Sequence, residues 1–129
     1  MRPPHGTVSW TELITRDVEA AKTFYAATLG WTFDDMSSEE GAYFIAKFNG
    51  ETLCGLVPME EGMDAEAPSH WFSYIEVDDI NRRLATVAGA GGQVLREPFD
   101  MPGVGRIAIV EDATGAVMGW VTSVDQPAA

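Results

Sequence analysis

Apolar and polar positions along this chain fall into one pattern, stated twice. Residues 8–15 form a β-prone run that ends at Thr15-Arg16-Asp17. Val18, Ala21, Phe24, Tyr25 and Leu29 then recur at helical spacing. Asp17 suits the helix N-cap, since its carboxylate can accept from the first free N–H groups. Gly30 suits the far end, where a left-handed residue stops the helix. Trp31-Thr32-Phe33 opens a second strand, and Tyr43–Phe48 and Thr52–Val57 flank Asn49-Gly50. Asn-Gly between apolar runs is a hairpin signal, because both residues accept positive φ. The predicted order is β-α-β-β-β.

The same order restarts at His70. Residues 70–77 read as a strand, about 80–89 as a helix behind Asp79, and Gly92 as its closing glycine. Gln93–Arg96, Gly105–Val110 and Ala116–Thr122 read as strands, the last two joined by a turn at 111–115. Residues 10–30 and 72–92 align in pattern, and a repeat of this kind governs the fold. Between the halves, residues 59–69 are acidic and turn-prone, with no apolar period. The expected organisation is a single domain over 1–129, with module one at about 7–58 and module two at about 70–124. Residues 125–129 are expected to fray.

Composition narrows the partners. The 129 residues carry 20 acidic and 8 basic side chains, a net charge of −12. Such a chain lacks the cations that displace counterions from phosphates, which argues against nucleic acid and against an anionic membrane surface. No run approaches the ~18 apolar residues of a membrane span. The start, Met1-Arg2-Pro3-Pro4-His5-Gly6, lacks the apolar core of a signal peptide, so a cytoplasmic location is expected. Cys54, the single cysteine, sits in an apolar run and reads as a buried, inert thiol.

Three segments carry a family resemblance: Trp10-Thr11-Glu12-Leu13 through Asp17 and Phe24-Tyr25 to Leu29-Gly30-Trp31, then Val77-Asp78-Asp79-Ile80, then Val110–Ala116. In these the chain resembles the vicinal oxygen chelate superfamily, the glyoxalase/bleomycin-resistance/dioxygenase group. The resemblance implies an α+β fold: two tandem βαβββ modules form a cupped eight-stranded sheet with helices on its outer face. It also implies a small ligand in the cup, a divalent metal in many members, and a homodimer.

The resemblance places metal ligands seven residues before each helix-capping Asp and in the last strand of each module. Those positions are Trp10, Phe72, Gly55 and Gly119. None offers the oxygen or nitrogen donors a divalent cation needs. The expectation is therefore no usual metal and no other cofactor, with a relocated site from Glu12, His70 and Glu76 as the metal-bearing alternative.

Strand alternation would turn Trp10 and Glu12 to the cup from one half, and Phe72, Tyr74 and Glu76 from the other. Two aromatics beside two glycines make an apolar pocket with room for a ligand to approach the backbone. Glu12, Tyr74 and Glu76 would be its polar handles, with His70 at a strand mouth and Arg106 either at the rim or on the surface. Burial of Glu12 would raise its pKa and suit it to act as a base or to hold a ligand cation.

Three functions stand: a binding protein of the bleomycin-resistance kind; a lyase, isomerase or dioxygenase using a relocated metal or Glu12; and an accessory protein whose aromatics fill the cup.

Overall fold

The computed structural model describes residues 2–39, 41–59, 67–101 and 104–124. The elements run β1 (Val8–Thr15), α1 (Val18–Leu29), β2 (Thr32–Asp35), β3 (Phe44–Phe48), β4 (Glu51–Pro58), β5 (His70–Glu76), α2 (Ile80–Leu84), β6 (Gln93–Met101), β7 (Gly105–Glu111) and β8 (Val117–Ser123). Among the described residues, eight strands and two helices follow the twice-repeated βαβββ order that the hydropathy pattern predicts, in the α+β fold that the resemblance implies. The chain divides into two contact units, Thr11–Phe72 and Met1–Trp10 with Ser73–Ala129. The division falls inside β1 and β5. The central stretch of the expected linker, 60–66, and the expected frayed tail, 125–129, lie outside the described residues.

In the 11–72 unit the strand order is β2-β3-β4-β1. β1 and β4 run parallel, with Glu12 opposite Gly55 and Leu13 opposite Leu56. The β3–β4 and β2–β3 pairs are antiparallel. Asn49 and Gly50 take φ of 51° and 80°, the hairpin turn their sequence predicts. Asp17 caps α1 by accepting from Ala20 N at 3.0 Å, and Gly30 closes it at φ 73°. Leu13, Ile14, Ala46, Cys54, Leu56 and Phe72 are buried. No residue of α1 is fully buried, so its apolar stripe is only half covered.

In the other unit the order is β5-β8-β7-β6. β5 and β8 run parallel, with Tyr74 opposite Gly119 and Glu76 opposite Val121. The segment before β1 adds to β5: Gly6 N donates to Glu76 O at 2.7 Å, and Glu76 N donates to Thr7 O at 2.8 Å. Val77, Ile80 and Ala108 form the core here, with Leu84 and Trp120 packed against them. His5 accepts from Asp78 N through Nδ1 at 3.0 Å.

Three expectations need correction. The helix predicted over 80–89 ends at Leu84, and only a 3₁₀ turn follows at Ala88–Ala90. Thr86 and Val87 are β-branched, Gly89 and Gly91 are poor helix formers, and the Thr86 hydroxyl competes for Arg83 O at 2.6 Å. The left-handed closing residue is Gly91, at φ 94°, not Gly92. β6, expected over Gln93–Arg96, continues through Pro98 to Met101. β6 is the outer strand of its unit, and an outer strand tolerates the missing N–H.

Candidate functional site

Glu12 is the most unusual side chain of the 11–72 unit. It is a carboxylate on β1, only 9% exposed. The parallel register sets it beside Gly55 on β4. A β-carbon on Gly55 would stand 3.1 Å from Glu12 Cβ and would collide with the hydroxyl of Tyr43. Tyr43 Oη donates to Glu12 Oε2 at 3.4 Å. Gly55 therefore seats a tyrosine that reaches a buried carboxylate. Phe72, in the same unit, is buried, and its carbonyl accepts from Thr11 Oγ1 at 3.2 Å. His70 is exposed, with Nδ1 2.9 Å from Pro68 O.

The other unit holds Trp10, Tyr74, Glu76, Gly119 and Arg106. Trp10 and Tyr74 are half-buried. The Tyr74 ring lies against Gly119 so closely that a β-carbon there would overlap it. Glu76 is 2% exposed, and both carboxylate oxygens are engaged by Ser123: Ser123 N donates to Oε2 at 2.9 Å, and Ser123 Oγ donates to Oε1. Arg106 donates from Nε to Asn81 Oδ1 at 3.2 Å and from Nη1 to Asp100 Oδ1 at 3.1 Å. Arg106 is partly exposed and pairs with Asp100.

Two sequence expectations change here. The glycines were expected to leave room for a ligand beside the backbone, and that room is taken by Tyr43 in one unit and Tyr74 in the other. Glu76 was expected to be a polar handle of the cup, and in the structure Ser123 engages both of its carboxylate oxygens. The sequence reading also missed Tyr43 as a site residue. No local signal marks it, since Tyr43 immediately precedes β3 and lies 31 residues from Glu12.

A divalent cation needs several oxygen, nitrogen or sulfur donors converging within bonding distance. Trp10, Gly55, Phe72 and Gly119 supply no such side-chain donor. Among the described residues no three His, Cys, Asp or Glu side chains gather closely enough to hold an ion. The donor set does not fit the metal that many relatives hold. Among the described residues, no helix is long and apolar enough to cross a membrane.

Comparison with known proteins places this geometry in context. Residues 7–118 match the sequence profile of the Glyoxalase/Bleomycin resistance protein/Dioxygenase superfamily. CFP32 of Mycobacterium tuberculosis, named as a candidate glyoxylase, is 39% identical over 116 residues, 88% of this chain and 44% of the relative. The chain thus spans less than half the length of that curated relative. A glyoxylase-like domain-containing protein of Didymella fabae is 30% identical over 116 residues, 86% of this chain and 89% of the relative. Among solved structures, a methylmalonyl-CoA epimerase of Streptomyces coelicolor, in complex with 2-nitronate-propionyl-CoA, shares the fold. Its TM-score is 0.69 at 20% identity, covering 95% of this chain and all of that one.

Proposed function

As the chain belongs to the Glyoxalase/Bleomycin resistance protein/Dioxygenase superfamily, we propose that it binds a small organic molecule through Glu12, without the divalent metal. The observation that carries this reading is the Glu12 carboxylate, nearly buried on β1 and touched by the Tyr43 hydroxyl. A carboxylate held at a fixed place on a strand can accept a further hydrogen bond from a bound molecule or pair with its cation. The net charge of −12 favours the approach of such a ligand. The metal-free part of the proposal is supported by the donor set: the expected ligand positions hold two aromatics and two glycines.

A second reading is favoured by the Tyr43–Glu12 hydrogen bond itself. A carboxylate oriented by a tyrosine can take a proton from a bound substrate, as a general base does. The fold likeness to an epimerase and the relative named as a candidate glyoxylase lean the same way, towards an isomerase or lyase. The two readings share Glu12 and differ in turnover.

The test is a thermal-shift screen of small organic cations and carbonyl compounds on chelator-treated protein, repeated on Glu12→Gln. A ligand of the native state raises the melting temperature by mass action. Binding that survives chelation and is lost in Glu12→Gln supports the proposal. Binding that appears only with added divalent cation overturns it. Chemical change of the bound compound would favour the enzyme.

A further inference from the structure

We propose that Ser37 is a positioning residue for Tyr43: its hydroxyl oxygen accepts from the Tyr43 backbone N–H and so sets where the tyrosine hydroxyl meets Glu12. This inference rests on the reading of Glu12 as the binding group. All the residues concerned belong to the 11–72 unit.

Tyr43 lies one residue before β3, and the β2–β3 ladder closes with Asp35 opposite Phe44. Beyond that pair, Met36 and Ser37 hold the Tyr43 backbone by both of its polar groups. Met36 N donates to Tyr43 O at 2.8 Å, and Tyr43 N donates to Ser37 Oγ at 3.1 Å. Ser37 is itself tied to the end of β2. Its backbone N–H donates to Asp35 Oδ1 at 2.8 Å, and its hydroxyl is hydrogen-bonded to the same carboxylate. A serine hydroxyl has one proton and two acceptor lone pairs. With the proton directed to Asp35, the oxygen is left to accept, and the Tyr43 N–H is what it accepts from. The Ser37 hydroxyl, and then its N–H, hold the Asp35 carboxyl below its ordinary value of 3.8. Asp35 therefore stays ionised near neutral pH and keeps the Ser37 hydroxyl turned the same way.

The effect is felt at the far end of the tyrosine ring. Its hydroxyl donates to Glu12 Oε2 at 3.4 Å, close to the longest separation at which such a bond survives. The phenol oxygen stands at the tip of a rigid ring, so a small rotation of the Tyr43 backbone is magnified there. A displacement of about half an ångström away from Glu12 breaks the bond. Ser37 and Asp35 are exposed and fill no core, so what they supply is the direction of Tyr43 rather than packing.

The test is the carbon-13 resonance of the Tyr43 ζ carbon in ligand-free protein, which responds to hydrogen bonding of the phenol oxygen. Tyr43→Phe identifies the resonance among the three tyrosines. Glu12→Gln gives the reference shift, since it replaces an ionic acceptor by a weaker neutral one. Ser37→Ala is expected to move the resonance in the same direction by about half that shift or more. Ser37→Thr keeps a hydroxyl and should return it to the wild-type position. Asp35→Ala releases Ser37 from its other end, should act like Ser37→Ala, and guards against one variant failing to fold. A merely structural Ser37 would change the urea midpoint and leave the resonance in place. That result, or a Ser37→Ala shift that Ser37→Thr does not reverse, overturns the proposal. Failure of the ligand reading has a different signature: thermal-shift responses to the organic cations and carbonyl compounds would be equal in wild type and Glu12→Gln, whatever the resonance does.

Discussion

The hydroxyl of Tyr43 occupies the space that a side chain at Gly55 would fill. This fixes a tyrosine above the β1–β4 pair, with its hydroxyl donating a hydrogen bond to Glu12 Oε2 at 3.4 Å. Gly55→Ala should therefore do two things at once. It should displace Tyr43 and cost about 1–3 kcal/mol, the usual penalty for overpacking. Tyr43→Phe in the same background removes the colliding oxygen and should recover part of the loss. Urea unfolding of the three variants measures it. Additive penalties in the double variant would contradict the contact.

Glu76 and Ser123 are the second coupled pair. The carboxylate is buried, and Ser123 supplies a backbone and a side-chain donor to it. Ser123→Ala leaves one oxygen of a buried anion without its hydroxyl partner, which costs about 1–3 kcal/mol. Glu76→Gln keeps the shape and an acceptor oxygen, so its cost should be smaller. Denaturant midpoints give the order, and a Ser123→Ala cost near zero would contradict the structural role.

How much of this could be read from the chain alone depends on sequence distance. Asp17 and Gly30 announce α1 because cap chemistry is local, and Asn49-Gly50 announces its hairpin for the same reason. The second helix was overestimated because apolar spacing continued while propensity failed at Thr86, Val87 and Gly89. The partners of the two buried carboxylates, one in each unit, were not legible at all. Ser123 reaches Glu76 across 47 residues, and Tyr43 reaches Glu12 across 31. Nor does the repeat carry down to these contacts. Gly55 seats a tyrosine that precedes β3, whereas Gly119 seats one from β5, so equivalent glycines serve through unrelated neighbours.

Acid should reveal the Asp78–Arg83 pair. Arg83 donates to both carboxylate oxygens at 2.9 Å. That hydrogen bonding holds the Asp78 carboxyl well below its ordinary value of 3.8. A depressed folded-state pKa gives stability that is complete above the unfolded value and is lost as pH falls through the folded one. Melting temperatures of wild type and Arg83→Gln should differ most above pH ~4 and converge in stronger acid. A gap that widens on acidification would contradict this assignment.

Cys54 offers a simpler check. Burial raises its thiol pKa and keeps it from solvent. Reaction with a thiol-directed reagent at mildly alkaline pH should be slow in native protein and fast after unfolding. Rapid native labelling would show that this part of β4 opens readily.

The central claim is that Glu12 holds a small molecule without a metal. Calorimetric titration of chelator-treated protein, with a compound that stabilises it in the thermal screen, tests this most directly. The account predicts saturable binding to metal-free wild type and roughly tenfold or greater weakening in Glu12→Gln, since an ionic hydrogen bond is lost from a desolvated site. Binding that needs a restored divalent cation, or equal affinity in the two proteins, would contradict it.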